Sequence, residues 1–156
     1  MDDLVRAIAA GLLAKKWFLS TAESCTGGLI GHELTNLPGS SQWYMGGVVA
    51  YSNWVKREVL GVSEEILMMN GAVSQEAVEA MAQTVAMGFN ACVSLAVSGV
   101  AGPDGGTPDK PVGTVWMAWK VTGKLATERF NFTGDRLSIK TQSARAALAG
   151  LVKRLA

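Results

Sequence analysis

Residues Thr21-Ala-Glu-Ser-Cys-Thr-Gly-Gly28 put two nucleophile-capable side chains, Ser24 and Cys25, immediately before a pair of glycines. The short apolar run Trp17-Phe18-Leu19 precedes them, and a helix is expected from Leu29. A strand that turns through Thr26, Gly27 and Gly28 into a helix leaves backbone N–H groups free at the helix start. Such groups favour anions or a developing oxyanion. The same glycines also suit an ordinary βα loop that needs them for its geometry.

The chain has a single histidine, His32, in the segment after this turn, which makes a Ser-His-Asp triad a poor fit. His32 reads as a surface or packing residue. A nucleophilic serine then needs another base, and lysine is the known alternative. Lys56 qualifies: it follows the run Gly46-Gly-Val-Val-Ala-Tyr-Ser52 in a short helix capped by Ser52 or Asn53. There the positive end of the helix dipole and burial would both disfavour an ammonium. Tyr51 could relay or orient the proton. A solvated helix lysine beside Arg57 fits the same stretch. Cys25, at the same helix start as Ser24, offers thiol chemistry as a rival or a small packing residue as the plainer alternative.

Other familiar sites are absent. Gly99, Gly102, Gly105 and Gly106 do not form G-x-G-x-x-G, and there is neither a glycine-Lys-Ser/Thr phosphate loop nor a G-x-S-x-G elbow. Two distant cysteines and one histidine give no metal-ligand spacing, so neither a metal nor a cofactor is expected. Lys+Arg 14 against Asp+Glu 13 leaves a net charge of +1, which gives no electrostatic footprint for nucleic acid. No apolar run approaches the roughly 18 residues of a membrane span. The acidic start and the reduced cysteines point to a cytoplasmic enzyme with no membrane partner.

The elements that must position these residues follow from periodicity. Amphipathic helices are expected over 2–16, 75–88 and from Asp135 to about Leu155, with shorter helices at 29–36, 53–60 and 63–69. Strands are expected at 17–22, 46–52 and 91–97, and a hairpin pairs Gly113–Val121 with Lys124–Phe132. With 49% hydrophobic and 17% charged residues over 156 positions, the chain fits a single domain. The element order predicts an α/β fold: three layers, α/β/α, around a mixed sheet of about five strands. The ligand crevice of such sheets lies at the carboxyl ends of the parallel strands. Segments 23–28, 51–56 and the long loop 98–107 converge there.

Five ordered motifs carry a resemblance. Thr21–Gly28, Tyr51-Ser-Asn53 with Lys56, Gly71-Ala-Val-Ser74, Ser98–Gly106 and Lys110-Pro-Val-Gly-Thr-Val115 closely resemble the CinA C-terminal domain family over nearly the whole chain. The resemblance implies an anticodon-binding-domain-like fold. It implies deamidation of nicotinamide mononucleotide to nicotinate mononucleotide and ammonia, in pyridine nucleotide recycling, without metal. The family's catalytic serine, tyrosine and lysine fall on Ser24, Tyr51 and Lys56. The oxyanion would meet N–H groups of Cys25, Thr26, Gly27 and Gly28 or of Gly46 and Gly47. The nucleotide would meet Asn53 and the loop residues Ser98, Gly99, Gly102, Asp104, Gly105, Gly106 and Thr107, with Arg136 a candidate for the phosphate. A homo-oligomer is compatible with this reading, and so is a non-catalytic nucleotide-binding or regulatory module of the competence/damage-inducible type.

Overall fold

A computed structural model describes residues 1–156. Five strands form one mixed sheet: β1 (Leu19–Glu23), β2 (Tyr44–Val49), β3 (Val93–Gly99), β4 (Thr114–Val121) and β5 (Lys124–Asn131), in the order β2-β1-β3-β4-β5. β1 runs parallel to both β2 and β3, whereas β4 and β5 are antiparallel additions. Five consecutive buried residues in β1 and six in β3 give these strands their continuous small and apolar character, as required of strands covered on both faces.

Helices α1 (Asp2–Lys15), α2 (Leu29–Thr35) and α6 (Arg136–Leu155) cover one face. Ile8, Leu12, Ile30, Leu34, Leu148 and Leu151 pack there against Leu19, Leu95 and Trp119. Helix α5 (Gln75–Gly88) covers the other face, flanked by α3 (Asn53–Glu58) and α4 (Glu64–Met69). Its Val78, Met81 and Ala82 meet Ala22, Ala96 and Ala118. The expected three-layer α/β/α architecture is therefore the observed one. Alanines on the sheet face under α5 let that helix approach closely, while the larger side chains fill the opposite layer.

Serine and aspartate side chains set the helix starts. Ser52, Ser63, Ser74 and Asp135 each accept a hydrogen bond from the N–H three residues on. The Trp119 indole donates to the Ala147 carbonyl at 2.8 Å, which locks α6 against the sheet and fixes where its first turn, with Arg136, meets the crevice.

Three strands are shifted from expectation, β3 running over Val93–Gly99 where 91–97 was expected. β1 begins at Leu19 because α1 ends in a left-handed residue, Lys16, and Trp17 N–H returns to the Leu12 carbonyl. β2 begins at Tyr44 and ends at Val49, so Gly46 and Gly47 lie inside the strand and Tyr51 lies beyond it. Aromatic packing explains the glycines. A Cβ on Gly46 would meet the Phe89 ring at 3.1 Å, and one on Gly47 would stand 2.1 Å from Thr21 Oγ1. Thr21 Oγ1 and Tyr44 Oη are hydrogen-bonded at 2.7 Å across that space.

Candidate active site

The parallel strands deliver three chain ends to one place. Ser24 N–H donates to the Val97 carbonyl at 2.9 Å, and Ala50 N–H donates to the Glu23 carbonyl at 2.7 Å. These bonds bring the starts of the segments after β1 and β2 together beside the end of β3. Ser52 then caps α3, and the helix carries Lys56 back beneath the turn.

Lys56 is 2% exposed and Ser24 is 7% exposed. The Lys56 Nζ lies 2.9 Å from Ser24 Oγ, 2.8 Å from the Ala50 carbonyl oxygen and 3.5 Å from that of Tyr51. Burial pushes the amine below its ordinary value of 10.5; the neighbouring Cys25 pulls weakly the other way. The depression therefore comes from burial, one of the two causes expected from the sequence; the helix start is not among its causes. Lys56 is the fourth residue of a six-residue helix, and Arg57 is paired with Glu58 on the surface.

Cys25 points into the core, 5% exposed, and burial raises its thiol to about 12 despite the opposing charge of Lys56. The thiolate that a helix start would favour is thus suppressed. The N–H groups expected to serve anions at that start are largely occupied. Glu23, buried at the end of β1, accepts from Gly28 N–H at 3.0 Å, Ile30 N–H at 3.1 Å and Gly31 N–H at 2.8 Å, and from Thr26 Oγ1 at 2.7 Å. Gly27 N–H donates to the Ser24 carbonyl at 3.0 Å. Only Cys25 and Thr26 in this turn keep backbone N–H groups with neither a backbone acceptor nor the Glu23 carboxylate; both lie beside the Cys25 sulfur, and Thr26 is fully buried.

A cavity of about 300 Å³ opens over Ser24 and Cys25. Tyr51, Gly99, Val100, Ala101, Gly102, Asp104, Gly105 and Arg136 complete its lining. Arg136 bridges the mouth: its guanidinium donates to the Gly102 carbonyl at 2.6 Å and to the Tyr51 hydroxyl. Tyr51 is 58% exposed and directs its hydroxyl at Arg136, while only its backbone carbonyl faces Lys56. The proton relay from the phenol to Lys56 expected from sequence is therefore not the arrangement present.

Several predicted contacts lie elsewhere. Thr26 is fully buried in the Glu23 clasp, and Gly27 and Gly28, both with positive φ, shape the turn. Gly46 and Gly47 pack inside β2, as described. Asn53 is exposed on α3 outside the cavity. The Ser98 hydroxyl is directed away to the Ala72 carbonyl at 2.7 Å. Thr107 closes its own turn with Lys110, and Gly106 sits against the Val112 backbone. His32 lies exposed on α2 beside Asn36. No three His, Cys, Asp or Glu side chains group to hold a metal ion.

Sequence reasoning placed the loop 98–107 at the crevice but did not name its wall residues Val100 and Ala101 as binding residues. It also missed Lys140, one turn after Arg136, whose Nζ lies 3.6 Å from the Cβ position of Gly27. Glu23 had a signal: an acidic residue closing an otherwise small and apolar strand just before a helix start.

The family model of the CinA C-terminal domain matches residues 1–155. A protein named nicotinamide-nucleotide amidohydrolase PncC, from Pseudomonas putida, is 51% identical over 135 residues, covering 86% of this chain and 84% of its own length. Its namesake from Enterobacter agglomerans is 47% identical over 145 residues, covering 92% and 88%. The crystal structure of the competence damage-inducible protein A from Klebsiella pneumoniae subsp. pneumoniae MGH 78578 superimposes with a TM-score of 0.95 at 40% identity, covering 99% of this chain and 96% of that one. With its fold, its motifs and nearly its whole length accounted for in this way, the chain belongs to the CinA C-terminal domain family.

Proposed function

We propose that the chain, acting as one domain over residues 1–156, is an amidohydrolase that deamidates nicotinamide mononucleotide through a serine–lysine mechanism. The observation that carries this reading is the buried 2.9 Å contact between Lys56 Nζ and Ser24 Oγ at the floor of the cavity. The names of the relatives support the substrate.

A neutral Lys56 has two N–H bonds and one lone pair. Directed at the carbonyls of Ala50 and Tyr51, the two N–H bonds leave the lone pair for the Ser24 hydroxyl. Ser24 Oγ attacks the carboxamide carbon as its proton passes to Lys56. The oxyanion is held by the N–H group of Cys25, the residue of this turn that lines the cavity beside Ser24. Lys56 returns the proton to the departing nitrogen, ammonia leaves, and the acyl-serine remains. Water, deprotonated by the same amine, then releases nicotinate mononucleotide and restores Ser24. Arg136 at the mouth offers the phosphate a cation, and the Gly99–Gly105 wall lets the backbone approach the ribose. Tyr51 orients Arg136. The site serves a small molecule in the cytoplasm, in pyridine nucleotide recycling.

Ammonia release from nicotinamide mononucleotide, compared with free nicotinamide, tests the reading. The nucleotide should be turned over and the free amide scarcely, because the phosphate and ribose contacts supply binding energy used at the reacting carbon. No ammonia from the nucleotide would refute an enzymatic role of this kind and leave the regulatory-module alternative. Equal turnover of both compounds would refute the nucleotide assignment.

A further inference from the structure

Glu23 presents an unusual solution for a buried carboxylate. It is 2% exposed, immediately precedes Ser24 and has no Lys or Arg partner. Burying a carboxylate costs several kcal/mol unless its oxygens are hydrogen-bonded. Here Oε2 accepts from Thr26 Oγ1, Gly28 N–H and Ile30 N–H, and Oε1 from Gly31 N–H, all within 3.1 Å. The carboxylate thus stands where an external anion would otherwise meet the start of α2.

Geometry gives this clasp a consequence for chemistry. The turn Ser24–Gly28 is pinned on its strand side by Ser24 N–H to Val97 and Ala50 N–H to Glu23. On its helix side only the Glu23 side chain ties the turn back to β1. Between the two anchors lie the Ser24 hydroxyl and the Cys25 N–H group, which has no backbone acceptor. The direction of the Cys25 N–H group, at the cavity, is therefore set by a carboxylate that does not touch the cavity, since Cys25 is in its lining and Glu23 is not.

We infer that Glu23 is a positioning residue for the deamidation: its carboxylate serves as a built-in anion that holds the turn so that the Cys25 N–H group meets the oxyanion. The inference rests on the serine–lysine reading above. Because the substrate meets other residues, losing the clasp should impair the chemical step and spare binding. Glu23→Gln preserves shape but offers one acceptor oxygen where four donors converge, and sets its own NH2 against N–H groups.

Steady-state kinetics with nicotinamide mononucleotide, on variants checked for folding by circular dichroism and Tm, test this. Glu23→Gln should lower kcat tenfold or more, with KM within about twofold, since misplacing oxyanion donors forfeits interactions made in the transition state. Thr26→Val, which removes one donor to the carboxylate, should lower kcat several-fold, and Thr26→Ser should restore it. A folded Glu23→Gln with kcat within twofold of the parent overturns the inference, as does a raised KM with kcat retained. Should Glu23→Gln fail to fold, the Thr26 pair decides: equal kcat in Thr26→Val and Thr26→Ser overturns it. Absence of turnover in the unaltered chain would instead count against the function proposed above, which separates the two failures.

Discussion

Replacing Lys56 probes both the chemistry and the energetic cost of the site. The amine sits 2.9 Å from Ser24 Oγ and is 2% exposed, so it is held against the serine as its base. Removing a positioned general base typically costs about 10²–10⁴ in rate, or roughly 3–5.5 kcal/mol of barrier. Lys56→Arg should fall at least that far, because guanidinium keeps its proton at every accessible pH. Lys56→Met should match it, and Ser24→Ala with either should add little, as expected of residues acting as a unit. The stability response carries the sign of the pKa shift. Burial lowers the folded pKa below the unfolded 10.5, so the folded state binds fewer protons between the two values. The penalty is therefore fully present below the folded pKa and disappears as pH rises toward the unfolded value. Lys56→Met removes it. Relative to the parent, its Tm should be higher near about pH 7 than near about pH 10, after allowing for the lost bond to Ala50. Parent kcat/KM should rise with pH over the same ionisation. A folded Lys56→Arg enzyme within tenfold of the parent, or a Lys56→Met Tm difference independent of pH, would refute the reasoning.

Cys25→Ala should retain most of the activity, since the buried thiol, raised to about 12, cannot serve as a thiolate at neutral pH; loss of acylation by this variant would restore the thiol reading. Tyr51→Phe should change kcat by only a few-fold and raise KM, because its hydroxyl holds Arg136 rather than Lys56; a kcat collapse at unchanged KM would instead place the phenol in proton transfer. Gly47→Ala should destabilise by about 1–3 kcal/mol in denaturant melts through overpacking, with the Thr21–Tyr44 contact broken; an unchanged melt would show that the strand yields freely there.

Local composition alone determined much of this protein. The periodicity of 75–88 and 136–155 dictates helices whatever surrounds them, because one apolar face must be covered. A cap acts within three residues of its own position, so the α3 cap was narrowed to Ser52 or Asn53, and the start of α6 at Asp135 read, before any fold was known. The unbroken small and apolar run of β3 announced a strand covered on both faces. The need for a lysine followed from having one histidine, away from the nucleophile.

Other features were decided only by tertiary structure, because they depend on which groups face one another across distant segments. Lys56 and Ser24 meet because β1 and β2 pair in parallel and end together, 32 residues apart in sequence. The burial that lowers the Lys56 pKa exists only after that meeting. Gly46 and Gly47 were candidate oxyanion donors, yet Phe89 at the end of α5 and the Thr21–Tyr44 contact need their bare Cα atoms within the strand. The helix start at α2 looked open to substrate until Glu23, five to eight residues upstream of three of its donors, proved to fill it. Sequence names the groups that could donate and accept; only the folded chain determines which of them have already found each other, because hydrogen bonding and desolvation act through space and not along the chain.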